Sequence, residues 1–322
     1  MVTTDEIKTE LDRIVEGVDI PEADIVPDEG PIVEVDLSKF FGRTPTKAKI
    51  SQGQNMSSIL EDASDGGITK TQMITSYTRI HAQRFINFFE NHGLAYNSEN
   101  NKHTKYHPTG FYEDLEKHFG GAIEYAFDAM INPNQRVQNL RELEILIETT
   151  KKRVSASYAR TELGVGSHKA ARELLQGLEG RGYLTAKETR KGTYYRVTRK
   201  GRNQVKQIRE VIDRLEVMVE YVSGLSDEEY QTAIEMMHNP ESNSPRMRNV
   251  NILRLLANKK RTANGIRSNT DSGYARTGRS LANLERADRV DKAPYRNGFL
   301  YQITDEGKEF LNNVDRTVNL LS

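Results

Sequence analysis

The chain has no cysteine. Disulfide frameworks, thiolate nucleophiles and cysteine-bound zinc are therefore excluded. It has no tryptophan, and apolar residues make up only 36 % of its 322 positions. That is thin for one large core and suits several small domains, as the length does. No run approaches the roughly eighteen apolar residues of a membrane span, so no membrane partner is expected. The opening stretch MVTTDEIKTELDRIVEG is acidic and lacks an apolar run, so it does not read as a signal peptide. An intracellular chain is expected.

Catalytic signatures are lacking too. There is no phosphate-cradling glycine loop, no nucleophile elbow and no paired-carboxylate motif. His81, His92, His103, His107 and His118 crowd the first half. His103 and His107 stand four apart in an expected hairpin, where that spacing does not converge on a metal. No enzyme, no catalytic residue, no metal site and no cofactor are expected.

Formal net charge is zero, but unevenly spread. Residues 1–36 carry twelve acids and two bases, and the rest of the chain carries the balancing positive charge. An acidic arm on a basic body is a pattern of nucleic-acid-associated proteins; a solvated tail is the plainer reading. Pro21, Pro27 and Pro31 make residues 18–36 an extended linker. Residues 36–54 are basic and contain Phe40 and Phe41. They read as a docking peptide, a phosphate-touching strand, or a connector with a buried phenylalanine pair.

What is present is a repeat. Phe89, Leu178 and Leu284 each precede a threonine, Thr109, Thr198 and Thr304, by 20 positions. Six residues after each first mark stand Ala95, Leu184 and Val290. Tyr106, Tyr195 and Tyr301 lie three before the threonines. Such a period must be recognised first, because it sets the fold. Around it, apolar spacing predicts helices. Ser167 is the expected N-cap of the helix beginning at 168, and Ser226 with Glu229 forms a capping box.

The string SASYARTELGVGSHKAARELLQGLEGRGYL, followed by YYRVTRKGRNQV, resembles the winged helix-turn-helix family that includes MarR-like and PadR-like repressors. The resemblance rests on residues 140–223. The segment closing with YQITDEGKEFL resembles it as well, and the first copy more loosely, with Pro108 and an early Gly110. It implies a mainly α fold with small β-hairpin wings (α+β) and three tandem winged-helix domains. The expected organisation is an acidic, largely disordered arm and basic linker over 1–54, a first winged helix over 55–130 and a second over 131–204. A helical connector over 205–245 and a third winged helix over 246–322 follow.

In that fold a recognition helix enters the major groove and the wing touches backbone or minor groove. The second copy supplies His168, Lys169 and Arg172 on the helix and Lys187, Arg190, Lys191 and Arg196 in the hairpin. The third supplies Tyr274, Arg276 and Arg279, with Lys292 and Arg296 in its hairpin. The first offers Arg79, Gln83 and Arg84, with Lys102 and Lys105 in its wing. From 246 to 300 there are thirteen Lys/Arg against four Asp/Glu.

In the connector, Ile208, Val211, Leu215, Met218 and Val222 repeat at alternating spacings of three and four. This narrow heptad seam reads as a homodimerisation face or as packing against a helix of the same chain. The expected partner is double-stranded DNA, in transcriptional regulation or in genome or plasmid replication and partition, in the cytoplasm at the nucleoid. The acidic arm would mimic DNA intramolecularly or recruit a protein partner. The rival expectation is a tandem winged-helix protein-interaction scaffold, as in proteins resembling ESCRT-II, condensin-accessory or RNA polymerase auxiliary subunits.

Overall fold

The computed structural model describes residues 51–76, 79–100, 103–131, 137–270 and 272–322. The acidic arm, Phe40, Phe41 and Lys102 lie outside the described residues.

One order of elements occurs three times: helix, two-residue strand, two helices, hairpin. The first copy is α1 (Gln52–Ser64), β1 (Ile68–Thr69), α2 (Lys70–Ser76), α3 (Arg79–Asn91), β2 (Ala95–Asn100) and β3 (His103–Pro108). Two helices follow, α4 (Gly110–Phe119) and α5 (Ala122–Ile131). The second copy is α6 (Gln138–Lys151), β4 (Val154–Ser155), α7 (Ala156–Thr161), α8 (His168–Gly180), β5 (Leu184–Thr189) and β6 (Gly192–Val197). The long α9 (Arg199–Gly224) and α10 (Asp227–His238) lead on. The third copy is α11 (Pro245–Asn258), β7 (Arg261–Thr262), α12 (Ala263–Thr270), α13 (Tyr274–Arg286), β8 (Val290–Tyr295) and β9 (Gly298–Ile303). Helix α14 (Asp305–Leu321) closes the chain. The described residues are mainly helical with small antiparallel sheets, the α+β class. In the second and third copies the sheet orders are β4-β6-β5 and β7-β9-β8.

The 20-residue spacing has a hydrogen-bonding cause. Near the end of each third helix the carbonyls of Phe89, Leu178 and Leu284 accept the N–H groups of Leu94, Tyr183 and Arg289. This six-to-one closure needs a left-handed residue just past the helix. Gly93, Gly182 and Asp288 supply it, with φ of 60°, 78° and 54°. The chain then enters the hairpin at Ala95, Leu184 and Val290, all buried. These pair with Pro108, Val197 and Ile303, so the three hairpins share one register. Pro108 sits at the last strand position and does not break it.

The threonine ties both ends of the loop. Thr109, Thr198 and Thr304 donate their hydroxyls to the carbonyls of Gly93, Gly182 and Asp288, at 2.5, 2.7 and 2.7 Å. The same oxygens accept the N–H of Tyr112, Gly201 and Gly307 and so cap the following helix. Gly201 and Gly307 are forced by space: a Cβ there would collide with the carbonyls of Tyr183 and Arg289.

Two compact units divide the chain. One holds residues to Phe88 together with Glu113–Val217, and the other holds Phe89–Tyr112 with Met218–Ser322. In the first, Phe88 meets Phe127 edge to face at 5.5 Å. The buried Asp128 carboxylate accepts from Gly53 N–H at 2.9 Å, from Asn139 at 3.1 Å and from the Ser51 hydroxyl. These bonds oppose the rise in its pKa that burial causes. In the second unit, Leu253, Leu256, Ile266, Leu281, Leu284, Phe310 and Val314 form one cluster. Met218, Ile234 and Leu321 form another, flanked by Tyr96, Phe111, Val222 and Tyr230.

The heptad seam needs correction as a dimer face. Ile208, Val211 and Leu215 are fully buried within a single chain, and Met218 nearly so. Val222 is half-buried against the Met218–Leu321 cluster. The seam residues are covered inside one chain. Spacing reports that a helix face is covered, not which chain covers it.

The two-residue strands and α5 have no counterpart in the sequence reading. Two residues carry no detectable period, and the all-round burial of α5 hides any amphipathic stripe.

Candidate nucleic-acid interface

In the second copy the caps and turns fix α8. Ser167 accepts the Ala170 N–H at 3.0 Å, as its position predicts. Gly164, with φ of 62°, makes the turn before it. Ala171, Leu175 and Leu178 are buried, and Leu174 is half-buried. The opposite face leaves His168, Lys169 and Arg172 exposed. The far end of α8 is anchored by Arg181, whose guanidinium lies 2.7 Å from Glu142 and 3.0 Å from the Tyr125 hydroxyl. Glu142 is itself buried and bonded by Tyr125. Burial and the Glu142 charge push the Tyr125 phenol well above its usual range. The helix that carries the candidate contacts is thus held by a charged tie at its base.

Lys187, Arg190, Lys191 and Arg196 are all exposed on the β5–β6 hairpin. Its tip is braced by Thr189, which donates to the Gly192 carbonyl at 2.8 Å and accepts from Lys191 N–H at 3.2 Å. Arg172, Arg190, Lys191 and Arg196 make no ion pair among the described residues. Lys169 is the exception on this face, 3.9 Å from the exposed Glu173.

The third copy aligns with the second at a constant offset of 106 positions (304 − 198). Arg276 and Arg279 are exposed on α13 above buried Thr277, Ser280, Leu281 and Leu284. By that offset they stand where α8 has Ala170 and Glu173, so the two helices present their charge at different positions. Tyr274, where α8 has His168, is 73 % exposed. Lys292 is tied to Glu285 at 2.6 Å, which raises its pKa and occupies its charge. Arg296 projects from the hairpin tip with φ of 50°, a left-handed backbone that a non-glycine residue seldom adopts. Its guanidinium lies 5.3 Å from the Tyr295 ring.

The first copy differs. Arg79, Gln83 and Arg84 are exposed on α3. Gln83, however, accepts from Lys70 and donates to Asn87 at 2.7 Å, and Arg84 donates to the Ile131 carbonyl at 3.2 Å. Between them Ile80 is 74 % exposed, where α8 carries Lys169, and Ile74 is also exposed.

Two features escaped the sequence reading. The acids Glu173 and Glu285 pair with expected DNA contacts; their four- and seven-residue separations from Lys169 and Lys292 were the available signal. Tyr295 and Phe299 flank the third hairpin tip and are exposed. Among the described residues no group of three or more His, Asp or Glu is placed to hold a metal ion. No described helix is long and apolar enough to cross a membrane. No protein-family model matches the sequence, and the search of characterised proteins returned no significant match.

Proposed function

We propose that the three copies are winged helices and that the chain binds double-stranded DNA, as a transcriptional regulator or as a replication or partition factor at the nucleoid. One observation carries the reading. In the second copy the exposed face of the third helix and the hairpin present Arg172, Lys187, Arg190, Lys191 and Arg196, and Arg172, Arg190, Lys191 and Arg196 make no ion pair among the described residues. A recognition helix needs bases on its outer face, and a wing needs them at its tip. Each phosphate they neutralise releases counterions, so affinity falls with salt. Two basic copies on one chain lengthen the footprint and raise avidity through effective concentration.

The test is a mobility-shift titration on random-sequence duplex at low and moderate salt. The expected result is a shift that weakens as salt rises. No shift at low salt would sink the proposal.

The first copy supports a second reading for itself alone. Exposed Ile80 and Ile74, with Gln83 and Arg84 already engaged, suit protein docking better than phosphate contact. On that reading Ile80→Lys leaves DNA affinity unchanged or raises it, whereas a shared DNA role for α3 predicts loss with Arg79→Ala.

A further inference from the structure

The hairpins of the second and third copies have the same length and register but opposite tips. The second closes with Thr189 and Thr193 around Arg190–Lys191. At the matching positions the third carries Tyr295 and Phe299 around Arg296–Asn297. Both rings are exposed, at 42 % and 45 %. Such rings at a loop tip cost solubility and contribute nothing to a core. Register leaves each ring partly open to solvent. Tyr295 pairs with Gly298, which has no side chain to cover the ring, and Phe299 pairs with Pro294. Each ring has a cation beside it: Arg296 lies 5.3 Å from the Tyr295 ring, and Lys292 lies 5.3 Å from the Phe299 ring.

Resting on the DNA reading above, we infer that the third hairpin stacks Tyr295 and Phe299 on bases that have left the helical stack, while Arg296 holds the adjoining phosphate. The occupant follows from two properties of the tip. The surrounding segment 246–300, with thirteen bases to four acids, selects a polyanion. Half-exposed aromatic rings select flat partners, and a nucleic acid is the polyanion that offers them. Inserting the tip into an intact duplex requires unstacking a base step, which costs free energy. DNA in which that cost is already met binds more tightly. The polar tip of the second copy has no ring to insert and stays on the backbone.

The absence of tryptophan supplies the assay. Tyr295→Trp introduces the chain's sole indole at the tip, and stacking on a base quenches its emission. The full chain is titrated with a random-sequence duplex and with the same duplex carrying a central unpaired bubble. The expected result is strong quenching by the bubble duplex and roughly tenfold tighter binding to it than to the intact one. Tyr295→Ala/Phe299→Ala abolishes that preference and leaves salt-dependent binding to intact duplex. Equal affinity for the two duplexes, with emission unchanged on binding, overturns the inference while leaving DNA binding intact. Failure to bind either DNA overturns the underlying reading instead. Quenching by neither DNA, although both bind, assigns the tip to a different partner and also overturns the inference.

Discussion

The His107 imidazole on β3 meets that of His238, at the end of α10, edge to face with ring centroids 5.3 Å apart. Tyr96 completes the group, 5.5 Å from His107 and 4.6 Å from His238. Burial lowers both imidazole pKa values below the ordinary 6.5, and for His107 the charges of His238 and Lys105 add to it. The folded state therefore prefers both rings neutral, and the unfolded chain takes up protons first as pH falls. Stability from this contact is present above about pH 6.5 and is lost as pH falls through the lowered folded values. Thermal unfolding near pH 7.5 and near pH 5.5 should show a larger drop in Tm for wild type than for His107→Gln/His238→Gln. Equal drops in the two proteins would falsify this linkage.

Threonine removal should rank the first two loops. Thr109 is almost fully buried, whereas Thr198 is half-buried. Alanine at 198 loses a cap and a hydroxyl bond that water partly replaces, at about 1 kcal/mol. Alanine at 109 also strands the Gly93 carbonyl away from water, raising the cost to about 2–3 kcal/mol. Urea unfolding midpoints of the two variants measure the order; a smaller loss at 109 contradicts it.

Arg181 is the base of the candidate recognition helix. Replacing it with methionine leaves the buried Glu142 carboxylate with Tyr125 and Gln138 but no cation. Complete loss of a buried partner costs 3–5 kcal/mol, and the partial exposure of Arg181 reduces this to about 2 kcal/mol. Chemical denaturation checks the value. The double variant Arg181→Met/Glu142→Gln should recover part of the loss, and a double variant as unstable as the sum of the singles counts against the pair.

Arg190→Ala/Lys191→Ala removes two exposed charges from the β5–β6 hairpin without touching a core residue. If both neutralise phosphate, the slope of log affinity against log salt should shrink by about 2. An unchanged slope with weaker binding would point to base contact or to a disturbed hairpin, which circular dichroism separates.

Much of the architecture was legible because it is local. The interval from Leu178 to Thr198 spans one helix end, one left-handed residue and one hairpin, each with its own residue preference. Ser167 and Ser226 announced their helices for the same reason. Exposure of the candidate contacts on the helices followed from helical period alone. What failed to show was which surface meets which. The α9 seam looked free because its covering residues have no fixed spacing from it. His238 lies 131 positions from His107 (238 − 107), and no pattern in the sequence links them. The engagement of Lys292 by Glu285 depended on a helix-to-strand turn whose angle periodicity does not give.

The hairpin segment Phe89–Tyr112 belongs to the unit completed by Met218–Ser322. On the ribosome that has a consequence in time. Gly93 packs against Met218 and Leu321, the latter 228 positions downstream (321 − 93). At roughly 5–20 residues per second, the segment waits on the order of ten seconds or more for its last partner. Through that interval Tyr96 and Phe111 lack the cluster that covers them, and long-range closure of this kind slows folding. Nascent chains arrested before Met218 should be cut by protease within Phe89–Tyr112, and released full-length chains should resist. This segment, made early and buried late, is where a holdase chaperone would act.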